Sequence, residues 1–141
     1  MKSFIWAQET ALALLDGGFT CAVYKGEQVY KSQRRGVAPL LEWLDSGADF
    51  RGFIAVDKVV GKAAAFLYVL LGVKAVYAFV ISEEAERVLK SHGIAVEYGE
   101  RVAAIRNRTN TGFCPMEQAV ETIDDPAEAL EAIRATVARL K

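Results

Sequence analysis

The chain has 141 residues, of which 52% are hydrophobic and 25% charged, and a chain of this size buries about two-thirds of its unfolded surface in one core without help from a disulfide. A net charge of −1, from 17 basic and 18 acidic side chains, gives no overall field favouring DNA, RNA or an anionic membrane, so nucleic-acid and membrane partners are not expected and any anion binding has to be local. Cys21 and Cys114 are the two cysteines, and in the absence of a secretion signal they are expected as reduced thiols in the cytoplasm.

The opening segment MKSFIWAQETALALLDGG places Gln8, Glu9 and Asp16 where a signal peptide would be apolar. Phe4, Ala7, Ala11, Leu12 and Leu15 recur at helical spacing and Gly17 and Gly18 supply a stop, which predicts a helix from Ser3 to Asp16. Thr20 to Lys25 and Gln28 to Lys31, joined through Gly26 and Glu27, read as a β-hairpin. Gly36 and Pro39 open a short helix through Leu44, and Phe53 to Val56 is a continuous apolar run of the kind shown by a strand covered on both faces.

A long helix is expected from Lys58, then a second buried strand from Val73 to Ile81. Together Ala63 to Ile81 approach the roughly 20 residues a membrane span needs. Gly72 and Lys74 interrupt that run, however, and its two halves differ in β-branched content, as in a buried helix followed by a buried strand. Ser82 caps the next helix with Glu83 and Glu84 in its first turn, and Lys90, His92 and Gly93 suit its end. Ile94 to Tyr98 is a third central strand, while Val102 to Ile105 fits either an edge strand or a loop. Arg106 to Gly112 is an aperiodic polar loop. Cys114 takes the N-cap of a short helix whose apolar face is Met116, Ala119, Val120 and Ile123, and Asp125, Pro126 and Glu128 open the last helix with a capping box. Strands alternating with helices imply one α/β domain over residues 1–141, built on a largely parallel sheet with helices on both faces.

The segment DKVVGK, Asp57 to Lys62, falls where a strand hands over to a helix, the position at which open α/β sheets bind ligands. If that helix starts at Lys58, each lysine in its first turn opposes the helix dipole by about 0.3–1 kcal/mol, and Lys58 and Lys62, four apart on one face, repel by about 0.2–0.5 kcal/mol. A bound anion reverses both signs. Asp57 is suited to cap the same helix, or to act as a general base. Gly61 costs about 0.5–1 kcal/mol inside a helix relative to alanine, so a strand or a ligand has to approach closely there. Either reading competes with a solvated surface for the lysines.

Cys114 sits at a helix start, where the dipole favours a thiolate and Arg106 or Arg108 would add to the effect, making it a candidate nucleophile; the alternative is a small buried residue at a turn. Arg106, Asn107 and Arg108 put two guanidinium groups and an amide in one loop suited to phosphate or carboxylate. Glu117 joins Lys58, Gly61, Lys62, Arg106, Asn107 and Arg108 as a candidate ligand-binding residue. Arg34 and Arg35 form a weaker basic spot, and Cys21 reads as core. No metal is expected: His92 is the sole histidine and the cysteines lack metal-ligand spacing. GxGxxG and the phosphate-loop motif are absent, so no cofactor is expected either.

The segments FIAVDKVVGKAAAFL, VISEEAERVL and NRTNTGFCPMEQAV resemble an uncharacterised prokaryotic domain-of-unknown-function family of the cytidine-deaminase-like superfamily. The resemblance implies a three-layer sandwich with a mostly parallel five-stranded sheet started by a β-hairpin. Zinc deaminases of that superfamily carry HxE on the helix after the hairpin and PCxxC at the start of the next. Here those helix starts read Gly36, Val37, Ala38, Pro39 and Asp57, Lys58, Val59, Val60. The expected function is metal-independent binding, or processing, of an anionic, nucleotide-like small molecule at DKVVGK, with Asp57 as base and Cys114 as nucleophile of a transferase or hydrolase. The competing expectations are a non-catalytic sensor or interaction domain with a degenerate pocket, and a homodimer in which Asp57 and the lysines pair across a two-fold axis.

Overall fold

The computed structural model describes residues 5–105 and 114–140, and of residues 5–8 the backbone only. The elements in chain order are α1 (Ile5–Leu15), β1 (Cys21–Lys25), β2 (Gln28–Ser32), α2 (Ala38–Asp45), β3 (Ile54–Val60), α3 (Lys62–Leu71), β4 (Ala75–Ser82), α4 (Glu83–Ser91), β5 (Ala95–Val102), α5 (Pro115–Ala119) and α6 (Pro126–Leu140). The five strands form an open sheet in the order β2-β1-β3-β4-β5. The hairpin β1–β2 and the pair β1–β3 are antiparallel, whereas β3–β4 and β4–β5 are parallel. The sheet is therefore mixed, which corrects the expectation of a mostly parallel one: the hairpin adds two antiparallel pairings beside the two made by helical crossovers.

Alternation along the strands sorts side chains between two cores. Cys21, Val23, Ala55, Val76 and Ala78 face a large core formed with α2 through α6, whose interior includes Leu40, Phe66, Leu67, Tyr68, Leu71, Leu89 and Ile133. Ala22, Val56 and Tyr77 face the opposite side, where Ala11 and Leu15 of α1 cover them. Helix α3 runs through the large core and is buried from Lys62 to Tyr68, which explains its apolar composition without a membrane; among the described residues no helix is long and apolar enough to cross one.

The boundary at DKVVGK differs from expectation. Strand β3 continues through Asp57, Lys58, Val59 and Val60, held by Lys58 N donating to Thr20 O at 3.2 Å and by parallel pairing as far as Val60 with Ile81. The β-branched Val59 and Val60 favour this extended backbone, and Val60 is fully buried. Helix α3 begins four residues later than the sequence suggests, at Lys62, with Gly61 as its N-cap. Its end is as expected: Gly72, at φ +87°, closes it with N–H bonds to Tyr68 O and Val69 O.

Ser82 caps α4 by accepting from Ala85 N at 3.1 Å, and His92 is its C-cap. Val102 is the last residue of β5, and 103–105 carry no regular structure. Cys114 is the N-cap of α5 without a side-chain capping bond, and that helix stops at Ala119, so Val120 and Ile123 lie in the following turn and not on its face. Asp125 opens α6 by accepting from Glu128 N at 2.9 Å.

Candidate functional site

The mixed topology sets the start of β1 beside the end of β3, pairing Cys21 with Asp57. Both side chains point toward the helical layer, where Tyr68, two turns into α3, donates its hydroxyl proton to Asp57 Oδ2 at 2.7 Å and lies in hydrogen-bonding contact with the Cys21 thiol. Asp57 Oδ1 receives only a long bond, 3.4 Å, from Val59 N. Burial pushes the Asp57 carboxyl up to about 7, outweighing the bonds from Tyr68 and from the Val59 and Lys58 backbone that favour its charge. The same burial, reinforced by the Asp57 charge, drives the Cys21 thiol far above its ordinary range. At neutral pH the cluster thus holds a carboxyl able to donate or accept a proton beside a thiol that stays protonated.

This cluster floors a cavity of about 480 Å³ at the strand-to-helix junction. Thr20, Val37, Val59, Ala63, Ala64, Ile105 and Met116 form much of its wall, and Gln33, Arg35 and Lys58 stand at its edge. Arg35 and Lys58 are exposed and form no ion pair among the described residues, so the mouth is positive above a floor that is close to neutral. Cys114, half-buried at the start of α5, lines the same cavity.

The helix terminus at the junction is already occupied. Glu117 of α5 accepts from Lys62 N at 2.6 Å and from Ala63 N at 2.9 Å, satisfying two of the free amides of α3 with a carboxylate. The anion that the helix start calls for is the chain's own side chain. This also explains Gly61: a Cβ there would stand 2.5 Å from the Glu117 carboxylate, so the close approach comes from a side chain, and not from a strand or ligand. Glu117 is accordingly a cap that also lines the cavity, and Asp57 is not a cap. Burial raises the Glu117 carboxyl above its usual range, opposed by its two amide bonds and by Lys62.

Lys62 is turned away from this cavity. It is buried, donates from Nζ to Glu121 O at 3.0 Å, and lies 3.8 Å from Glu84 and 4.0 Å from Asp124. With Ser82 and Gln118 it lines a separate cavity of about 130 Å³. Lys58 and Lys62 do not share a helix face, because Lys58 belongs to β3. Asp57 and Lys62 are buried, at 8% and 4% exposure, while Lys58 is exposed.

Of the residues nominated from the sequence, Asp57, Lys58, Gly61, Cys114 and Glu117 meet at one cavity. Arg106, Asn107 and Arg108 lie outside the described residues. Sequence reasoning missed Tyr68 and assigned Cys21 to plain core. The available signal for Tyr68 was a phenol inside the apolar run AAAFLYVLL, since a buried hydroxyl needs a partner; for Cys21 there was none, because its role comes from strand pairing. Among the described residues no three metal-ligating side chains are grouped.

A family model described as TM1506, a domain of unknown function (DUF1893), matches residues 10–137. The chain is similar in structure to a DUF1893 family protein, TM1506, from Thermotoga maritima, with a TM-score of 0.83 and 25% identity, covering 98% of this chain and 92% of that one. Among curated proteins none matches.

Proposed function

Since the chain belongs to the DUF1893 family, for which no activity is known, we propose a function from the cavity itself: metal-independent binding of a small, anionic, nucleotide-like molecule. The observation that carries this reading is a buried carboxyl at the floor of a 480 Å³ cavity whose mouth carries two cations, Arg35 and Lys58, with no ion-pair partner among the described residues. That volume lies within the roughly 300–1,000 Å³ of small-molecule sites. A carboxyl whose burial raises its pKa to about 7, and whose Oδ1 receives only the long bond from Val59 N, can donate to a ring nitrogen or accept from an exocyclic amine, which suits the edge of a nucleobase. Lys58 and Arg35 suit the anionic end of the same molecule. The ligand's charge is met at the mouth and not at the start of α3, where Glu117 already sits.

We also place the chain in the cytidine-deaminase-like superfamily. The hairpin-first element order and the strand order β2-β1-β3-β4-β5 support this, while the first residues of α3, Lys62, Ala63 and Ala64, carry no cysteine pair. For turnover, Asp57 is the proton-transfer group and Cys114 the thiol that lines the same cavity. One observation favours a non-catalytic sensor instead: no described residue forms a hydrogen bond with the Cys114 thiol that could activate it.

Thermal unfolding in the presence of nucleotides, phosphosugars and phosphate tests the binding reading. A ligand at 100 times its Kd should add about 2.7 kcal/mol of stability, and Lys58→Ala or Asp57→Asn should remove that gain. Melting curves unmoved by every compound would overturn it.

A further inference from the structure

A second and larger concavity, about 730 Å³, runs between α2 and α6 and shares Arg35, Gly36, Val37 and Met116 with the cavity above Asp57. The two spaces adjoin at a waist formed by those four residues. Beside Gly36, at φ +64°, the space is open, since a Cβ built there meets nothing within 4 Å. Beyond it the wall is apolar, from Leu41 and Val137, and the charges along it are largely matched, Arg34 with Glu42 and Arg134 with Asp45, the latter at 2.7 Å. Arg35 is the exception. It stands on both rims with no carboxylate partner among the described residues.

We propose that the ligand is bipartite: a compact polar head against Asp57, a phosphate or diphosphate link over Arg35, and a second moiety in the α2–α6 groove. This rests on the reading of the first cavity given above and adds the substrate class, a nucleotide whose phosphate carries a further group. A planar guanidinium matches a phosphodiester or diphosphate through paired N–H donors. The paired charges farther along leave a nearly neutral, apolar channel that suits an uncharged ring or sugar better than another anion. Linking two weakly held parts through the waist makes the second contact intramolecular, which raises affinity without strengthening either contact.

Isothermal titration of the full chain with AMP, CMP and UMP, and with ADP-glucose, CDP-glucose and UDP-glucose as their extended counterparts, tests the proposal. At least one extended compound should bind about tenfold tighter than its mononucleotide. Ala138→Trp, at an exposed position of α6 in the groove, should abolish that advantage and leave mononucleotide affinity unchanged, and Ala138→Phe should do the same by bulk. Mononucleotides that bind with no gain from extension, or a gain that survives both substitutions, would overturn the bipartite ligand while leaving the first cavity's function standing. Failure of all six compounds to bind would overturn both.

Discussion

Asp57 is held by the fold in a place that disfavours its charge. Its hydrogen-bond partners, Tyr68 and the Val59 and Lys58 backbone, are uncharged, as is the neighbouring Cys21 thiol, and the Lys58 side chain is exposed at the cavity edge. In the unfolded chain the carboxyl loses its proton near pH 4; in the folded protein it keeps it to about 7. The folded state therefore binds more protons between those values, and stability from this group is full below about pH 4 and lost as pH rises through 7. At about 1.36 kcal/mol per unit the loss is as much as about 4 kcal/mol. Asp57→Asn keeps an acceptor for Tyr68 and removes the titration. Denaturant unfolding at pH 4.5 and pH 7.5 should show the variant gaining on the wild type as pH rises. A difference between the two proteins that does not change with pH would remove burial of the carboxyl as the cause.

At the scale of elements, the start of α3 is completed by α5. Glu117 supplies two amide bonds to a helix whose N-cap is a glycine without a side chain to offer. Loss of a capping side chain costs about 0.5–2 kcal/mol, and both Glu117→Ala and Gly61→Ala should fall in that range, the second by pushing the carboxylate off its amides. Their signatures should coincide in faster hydrogen exchange at Lys62 and Ala63; unchanged exchange in Gly61→Ala would show that the carboxylate shifts without letting go. This contact also marks what the sequence could disclose. The hairpin, the Ser82 and Asp125 caps, the Gly72 stop and the placing of Asp57 and Lys58 near a strand-to-helix junction follow from local rules of turn, cap and period, whereas the meeting of Cys114 with them does not. Glu117 bonds residues more than fifty positions away, and Cys21 meets Asp57 only because β1 is antiparallel to β3. Such partners leave no local pattern. The late start of α3 escaped for a related reason: Val59 and Val60 are compatible with a helix until the neighbouring strands claim them.

The molecule as a whole is lopsided about its sheet. Five helices and the large core lie on one face, where the cavity is also found, and among the described residues α1, with Phe19 just after it, covers Ala22, Val56 and Tyr77 on the other. Leu15 and Phe66 are both buried, at 7% and 0% exposure, but they serve cores of different size. Truncating a large aromatic in a close-packed core costs about 3–5 kcal/mol, and a leucine about 2–5 kcal/mol depending on how well its surroundings collapse. Phe66 is enclosed between helices and sheet that cannot close over the gap, so Phe66→Ala should destabilise the entire fold and accelerate exchange in β3, β4 and α3 together. Leu15 is on a helix with a small apolar footprint and no helical neighbour among the described residues, so the less costly event is release of α1 alone. Leu15→Ala should raise amide exchange along α1 while the protection of β3 and β4 stays near its wild-type level, a subglobal opening of the kind seen where apolar contacts are few. Equal loss of protection in α1 and the central strands of Leu15→Ala would mean that both faces fold as one cooperative unit, and that the smaller core stabilises the sheet as tightly as the larger one does.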